Sequence, residues 1–410
     1  MIDFEMSPEI EHGRQMMHMM AEQTMRPIAR DYDEREHEDP TEWHEMMWSA
    51  SRGSEVFGGG KADKKDKKDR AQAERHLSSA VTIEELSWGD AGLYLSIPNP
   101  GLGGAAVAAA GTPEQRKRFL ARFQEGAPKW GAMAITEPSC GSDSAAITTT
   151  AVRDGDHWVL NGTKIFCTSG QRALEKSDGF VVVWATVDKS AGRAGIKAFV
   201  VEAGTPGVHV TKVEDKLGIR ASDTAEIVLE DCHIPLDNLL GSAAVKAQTS
   251  EGFKGVMATF DATRPAVAAS AIGIGRAALD FVRDALDKAG VTIRYDAPYG
   301  KLTVLERDFM EMESNLQAAR LLTWRAAWMM DRGLHNNLEA SMCKAKAGLA
   351  VTQVTQKAVE ILGPLGYSRK LLLEKWMRDA KINDIFEGTQ QINLMIVARR
   401  ILGYSSKELN

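Results

Sequence analysis

From residue 7 to about residue 126 the apolar positions recur at a spacing compatible with a 3.6-residue period. Met16, Met17, Met19, Met20, Met25 and Ile28 fall on one face with polar residues between them, which predicts an amphipathic helical segment. Methionine at this spacing reads as packing, its common use. Further helices are predicted over residues 72–87, 101–110 and 113–124, the last with Thr112 as cap and Pro113 at the first helical position. Between residues 130 and 240 the texture changes to short alternating or β-branched runs. Strands are predicted over residues 146–152, 157–164, 179–187, 196–202, 208–213 and 225–229, with Asp154-Gly155 as a hairpin turn. The separating Gly- and Asp-containing turns suggest a compact antiparallel β domain. Long helical patterns then return over residues 253–288, 301–332, 337–362, 371–380 and 385–402, as in an antiparallel bundle. The expected architecture is α+β: an N-terminal helical domain (1–128), a central antiparallel β domain (129–242) and a C-terminal helical bundle (243–410).

Composition narrows the class without changing this picture. The chain has 410 residues, 44% apolar and 26% charged, as in soluble globular proteins, with a formal net charge of −6. That balance argues against a general nucleic-acid surface, which needs a basic footprint. Cys140, Cys167, Cys232 and Cys343 are widely spaced, with no metal-type pairing and too low a density for a disulfide framework. The acidic start, Met1 to Glu5, lacks the features of a secretory signal, and the Ala/Gly-rich run at 101–111 is too short to span a bilayer. A cytoplasmic protein with no membrane span and no bound metal is expected. The charged run at 61–70, after three glycines, reads as a solvated loop leading into a helix.

Three segments carry candidate chemistry. Residues 134–143, A-I-T-E-P-S-C-G-S-D, end a strand and enter a turn whose backbone N–H groups and small hydroxyls can meet a polar ring edge or a phosphate. A plain turn fits the same residues. Residues 161–170 hold Phe166 and Thr168, which strict alternation places on one side of a strand. An aromatic plane beside a hydroxyl packs a flat heterocycle and bonds its nitrogen, although a core Phe and a strand Thr account for them as well. Residues 377–392 carry Glu387 after Ile385 and Phe386 and before Gly388 and Thr389. A carboxyl framed by apolar neighbours can be desolvated until it serves as a base near neutral pH, or it caps the helix that follows.

Taken together these segments resemble the acyl-CoA dehydrogenase family. The first is similar to its T-E-P-x-x-G-S-D loop, the second to its flavin-facing strand and the third to its R-D-A-x-I-x-x-I-x-E-G-T signature. Residues 216–227 with 231–241 resemble its K-x-G-x-R-x-S-x-T and V-P-x-x-x-L-L-G block, and residues 261–265, D-A-T-R-P, its CoA-contacting D-x-x-R segment. The resemblance covers about residues 80–402 and implies FAD as cofactor, an acyl-CoA as substrate and an electron-transfer flavoprotein as acceptor. It implies that Ile135 and Thr136 contact the flavin pyrimidine edge and that Phe166 and Thr168 lie beside the ring. Ser142 would touch the pyrophosphate or CoA, Thr389 and Gln391 would bind FAD, and Asp261, Arg264 and Arg399 would sit along CoA. Glu387 would take the α-proton, its backbone N–H and a flavin ribityl hydroxyl would stabilise the thioester oxygen, and Gly388 would face the substrate. Some family members carry that base near position 263, here Thr263.

The sequence departs from the family where FAD crosses the subunit interface. Its R-x-x-F-G with a later Gln reads here as D-A-P-Y-G at 296–300 and Arg307, and its Q-x-x-G-G-x-G as E-I-L-G-P-L-G at 360–366. Arg294 offers a substitute donor, and Arg307 a partner for Glu360. A homo-oligomer, dimer or tetramer, is expected. The alternatives are a subunit of a heteromeric dehydrogenase whose FAD site a second chain completes, and a flavin oxidase or monooxygenase on the same fold.

Overall fold

The computed structural model describes residues 6–51, 74–245, 251–404 and 408. The charged run at 61–70, the first residues of the helix expected over 72–87 and the acidic start at 1–5 lie outside them. The N-terminal elements are α1 (Pro8–Met20), a π-helical turn (Ala21–Met25), α2 (Ala29–Glu34), α3 (Thr41–Ser51), α4 (Arg75–Ser96), α5 (Gly101–Ala110) and α6 (Pro113–Ala121). α4 therefore runs nine residues beyond the predicted end at 87. The Thr112 cap is a full capping box: Gln115 N–H donates to the Thr112 hydroxyl and the Gln115 side chain accepts from Thr112 N–H. α4 is bent at Asp90, whose φ of −164° is not helical.

The central sheet has seven strands: β1 (Gly131–Ala134), β2 (Thr150–Asp154), β3 (His157–Thr168), β4 (Phe180–Thr186), β5 (Ile196–Glu202), β6 (Val208–Val213) and β7 (Thr224–Pro235). The β2–β3 hairpin turns at Gly155-Asp156, with Asp154 opposite His157. The β2–β3, β3–β7, β6–β7 and β4–β5 ladders are antiparallel as expected. β1, which the sequence pattern marked only by its end and left out of the antiparallel strands, pairs with β4 in parallel, and β2 meets β4 in parallel at Thr150–Thr186. β4 is buried along its whole length, which fits its continuous F-V-V-V-W-A-T run. α7 (Gly170–Leu174) follows β3.

The C-terminal elements are α8 (Glu251–Lys288), α9 (Val304–Asp331), α10 (Asn337–Leu362), α11 (Pro364–Tyr367), α12 (Leu373–Ala380) and α13 (Gln390–Leu402), with a 3-10 turn at Lys381–Asp384. The D-A-T-R-P segment lies inside α8, with Pro265 in the helix interior. Within α8, Gly255–Lys288 is long and apolar enough by length and composition to cross a membrane, but 72% of its most apolar window is buried. One core joins α4, α8, α9, α10 and α12 through Leu86, Ile272, Phe309, Val351 and Trp376.

Candidate active site

Glu387 sits on the turn between the 3-10 turn and α13, with its backbone at φ +56°, followed by Gly388 at φ +88°. Thr389, not Glu387, caps α13: its hydroxyl oxygen accepts from Ile392 N–H at 3.3 Å. The Glu387 side chain is thereby free to turn back into the protein. Its Oε2 accepts a 2.7 Å hydrogen bond from the Thr263 hydroxyl of α8. Burial pushes the Glu387 carboxyl above its ordinary range, while the Thr263 bond and the nearby charges of Arg264 and Lys344 partly oppose that shift. Ile385 is 53% exposed, so the enclosure comes from α8 and α10 rather than from the preceding isoleucine.

Arg264 is buried at 2% exposure, contrary to a place along the CoA surface. Its Nη1 donates to Asp261 Oδ1 at 2.9 Å and to the Ser341 hydroxyl at 3.3 Å, so its donors are turned inward. Asp261 is half-buried and also accepts from Asn337 Nδ2 at 2.8 Å. Asn337 in turn accepts from Arg400 Nε. Arg399 is half-buried and Gln391 exposed on α13.

The other two segments are fixed to each other by a buried ion pair. Lys164 of β3, fully buried, donates to Glu137 Oε1 at 2.8 Å and to the Ile135 carbonyl at 3.1 Å. Glu137 also accepts from the N–H and hydroxyl groups of Thr148 and Thr149. Paired with that cation and those donors, its carboxyl is held down at about 2 against the pull of burial. This clamp leaves Thr136 half-buried and Ser142 exposed at the loop surface, with Ile135 buried beneath.

Beyond Lys164 the strand is not regular. A register shift falls between Lys164 and Cys167, and Phe166 takes φ +58°, so simple alternation does not set its direction. Its ring is 59% exposed and Thr168 is half-buried. Among the described residues six non-glycine residues have positive φ, and five of them, Phe166, Ser169, Ile219, Asp231 and Glu387, lie in the segments singled out by sequence. Such conformers cost roughly 1–3 kcal/mol each and persist where surrounding structure over-determines them.

The sheet and the bundle are joined at this place by polar bonds. Ser169 N–H donates to the Asp223 carbonyl, and Gln171 N–H to Asp223 Oδ2. From the same loop, Ile219 N–H donates to Asp379 Oδ1 at 2.6 Å, and Arg378 Nη1 to the Leu217 carbonyl at 2.9 Å. A Cβ on Gly218 would meet the Arg378–Asp379 peptide at 2.5 Å, so only glycine lets the two backbones approach this closely. The end of β3 is thus tied through Asp223 and Asp379 to the helix that leads into Glu387. Sequence reasoning missed Glu137, Lys164, Asp223 and Lys344, and read Thr263 only as the absence of another base.

Residues 7–127, 132–232 and 250–402 match, in turn, the acyl-CoA dehydrogenase N-terminal, middle and C-terminal domains. A short-chain-specific acyl-CoA dehydrogenase of Clostridium acetobutylicum is 35% identical over 98% of this chain and all of its own length. The chain belongs to the acyl-CoA dehydrogenase family. Two solved structures agree with this acyl-CoA dehydrogenase architecture. Butyryl-CoA dehydrogenase from Megasphaera elsdenii is 32% identical, with a TM-score of 0.82 over 98% of this chain and 100% of that one. A chain solved in work on the electron transferring flavoprotein of Acidaminococcus fermentans and flavin-based electron bifurcation is 34% identical, with the same TM-score and coverage.

Acyl-CoA dehydrogenases carry FAD, and part of the surface here suits it. The exposed aromatic ring of Phe166, on a strained backbone two residues before the half-buried Thr168, fits a flat heteroaromatic system with a polar edge. On the adenine side the expected substitutions are not realised within one chain. Arg294 is engaged in a fork with Glu306, at 2.6 and 2.7 Å, which also caps α9. Glu360 pairs with Lys357 at 2.9 Å rather than with Arg307. Arg307 instead lies over the Tyr299 ring, 5.5 Å from its centre, with Tyr299 73% exposed.

Proposed function

We propose that this acyl-CoA dehydrogenase oxidises a short-chain acyl-CoA thioester to its trans-2-enoyl product, with Glu387 as the base. The observation that carries the reading is the Glu387 carboxyl. It lies on the E-G-T turn, is hydrogen-bonded to Thr263, and is held above its ordinary pKa by burial. The names of the Clostridium and Megasphaera relatives support the short-chain class.

An α-proton of a thioester is weakly acidic, so its removal needs a base in the carboxylate form and a donor for the developing oxyanion. Glu387 takes that proton, and the backbone N–H at the Glu387–Gly388 turn is the chain's own donor. Thr263 orients the carboxyl, leaving one oxygen for the substrate. FAD, when bound, supplies the acceptor for the β-hydride. Ile135, Thr136, Phe166 and Thr168 would hold its ring, with Ser142, Thr389, Gln391 and Arg307 toward its ribityl, phosphate and adenine portions. Asp261, Gly388 and Arg399 would face acyl-CoA. Arg264 serves beneath them, holding Asp261 and lending positive charge to Glu387.

Electrons leave to an electron-transfer flavoprotein in the cytoplasm, a reading favoured by the Acidaminococcus relative. Exposed apolar side chains in the C-terminal part, Tyr367, Leu394, Met395, Ile401 and Leu402, support a homo-oligomer, in which a partner chain would cover them. The divisions at residues 128 and 242 are proposed as domain boundaries.

Two measurements test this. Acyl-CoAs of increasing length, assayed with a dye acceptor, should show the highest kcat/KM at short chains, and preference for long chains would reject the substrate class. Mass and flavin content of the protein expressed alone should give one FAD per chain in a dimer or tetramer. A colourless product that takes up flavin only with a second, related chain would reject the homo-oligomer in favour of the heteromeric arrangement.

Because Glu387 must be ionised to act, kcat should rise with pH through a midpoint above the ordinary glutamate range. The direction follows from the raised carboxyl pKa: protonation at low pH removes the base. A kcat that is flat down to the ordinary glutamate range would contradict the burial of this carboxyl in the working enzyme.

A further inference from the structure

Lys344 has no part in the reaction as set out above, yet it is among the most buried charged groups near the site. It lies on α10 at 1% exposure, and among the described residues no carboxylate bonds its ammonium. Nζ instead donates to two backbone carbonyls of the base-bearing segment: Asn383 at 2.7 Å, in the 3-10 turn, and Gly388 at 2.8 Å, directly after Glu387. A buried ammonium spent on two carbonyls is costly unless it organises them.

The two bonds bracket Glu387, one on each side along the chain. Gly388 at φ +88° and Glu387 at φ +56° are both left-handed, a conformation the glutamate does not hold on its own account. The Gly388 carbonyl also accepts from Asn393 Nδ2 at 2.8 Å, so two buried side chains from α10 and α13 hold this peptide. On the other side α10 is in direct backbone contact with the turn: a Cβ on Gly348 would lie 2.6 Å from the Asn383 carbonyl oxygen.

We propose that Lys344 is a positioning residue for the reaction, its ammonium fixing the turn that carries Glu387 and supplying positive charge to the base. The proposal rests on Glu387 being that base. Around Lys344 stand Glu387 and Asp384 from the turn and Arg264 from α8. Asp384 is shared with Lys381 at 2.9 Å and with the Thr352 hydroxyl. Burial and Arg264 lower the Lys344 ammonium to about 8, against Glu387 and Asp384, which hold its proton. Its positive charge opposes the upward push of burial on the Glu387 carboxyl.

The test compares Lys344→Met, Lys344→Gln and Lys344→Arg in the flavin-loaded enzyme. The neutral variants should lower kcat about ten- to hundred-fold, with a smaller effect on KM, because the base is misplaced. They should also move the acid limb of kcat upward by about one pH unit, since a cation near the carboxylate is gone. Lys344→Arg keeps the charge in a different shape, so its kcat should fall while its acid limb stays at the parent position. A readout independent of turnover is the protonated-carboxyl infrared band that Glu387→Gln removes, whose titration should follow the same shift.

Neutral variants with the parent's acid limb and band titration would overturn the proposal, as would an Arg variant shifted as far as Met. If neither neutral variant yields holoenzyme, Lys344→Arg decides alone: lower kcat with an unmoved limb supports the proposal, and parental kcat or a moved limb rejects it. If the carboxyl band survives Glu387→Gln, the base assignment has failed instead. If that band is lost but ignores Lys344, only the role given to Lys344 falls.

Discussion

Replacing Glu387 with Gln should leave a folded, flavin-bearing protein whose turnover is lower by roughly 10²–10⁴-fold, the usual contribution of a positioned general base. The change is nearly isosteric. The amide oxygen can still accept the bond that Thr263 Oγ1 donates at 2.7 Å, so the side chain keeps its place while losing its ability to take a proton. The loss should appear in kcat and kcat/KM alike, because the missing interaction is made only as the α-proton leaves. Flavin content and thermal midpoint report whether the fold is intact. A Glu387→Gln enzyme within a few-fold of the parent would mean that another group removes the proton.

The largest effect on stability is expected at Lys375→Met. Lys375 is buried on α12, with Nζ 2.5 Å from Asp90 Oδ2 and 2.6 Å from Asp379 Oδ2. Both carboxylates are fully buried, and Asp379 also receives Ile219 N–H. Removing the one ammonium between them leaves two buried carboxyls with backbone N–H donors from Leu93 and Ile219 but no bonded cation, a loss of about 3–5 kcal/mol for a broken buried pair. The fall in thermal midpoint should be accompanied by lost flavin, since Asp379 ties the sheet to the helix leading into Glu387. The repair variant is Lys375→Met with Asp90→Asn and Asp379→Asn, which removes the stranded charges and should recover part of the loss. A Lys375→Met protein melting with the parent would show that this cluster carries no net stability.

The long helices were legible because their apolar stripes repeat over many turns, and α8, α9, α10 and α12 fall within three residues of their predicted limits. The misses have local causes. β1 is G-A-M-A, with no β-branched residue, and is a strand through its parallel pairing with β4. β2 starts at Thr150, not at residue 146, because Thr148 and Thr149 turn their N–H and hydroxyl groups to Glu137. β3 and β7 run on past their predicted ends through register shifts, beyond the reach of strict alternation.

In the site, the turn that carries Glu387 was legible from its motif, but its enclosure was not, because Ile385 is exposed and the covering residues come from α8 and α10. The lysines around the site were not, because nothing in the sequence separates a lysine spent on internal partners from one in solvent. Lys164 meets its carboxylate across 27 residues and Lys375 one of its own across 285. The same limit applies to Arg264, which the D-x-x-R pattern placed toward CoA and the helix packing buries.

The close approach at Gly218 bears on which positions tolerate change. The residue has no side chain and takes part in no chemistry. Even so, an added methyl group has nowhere to go, because the Arg378–Asp379 peptide occupies its space and is itself locked by Lys375 and Ile219. The strain would pass to the whole seam and part the strand end at Thr168 from the turn at Glu387. Misplacing reacting groups by as little as about 1 Å can cost a hundred-fold in rate. Inherited or engineered variation in this enzyme should therefore be as sparse at a loop glycine as at its base. Surface positions of the same loop, such as Leu217 at 62% exposure, are free to drift.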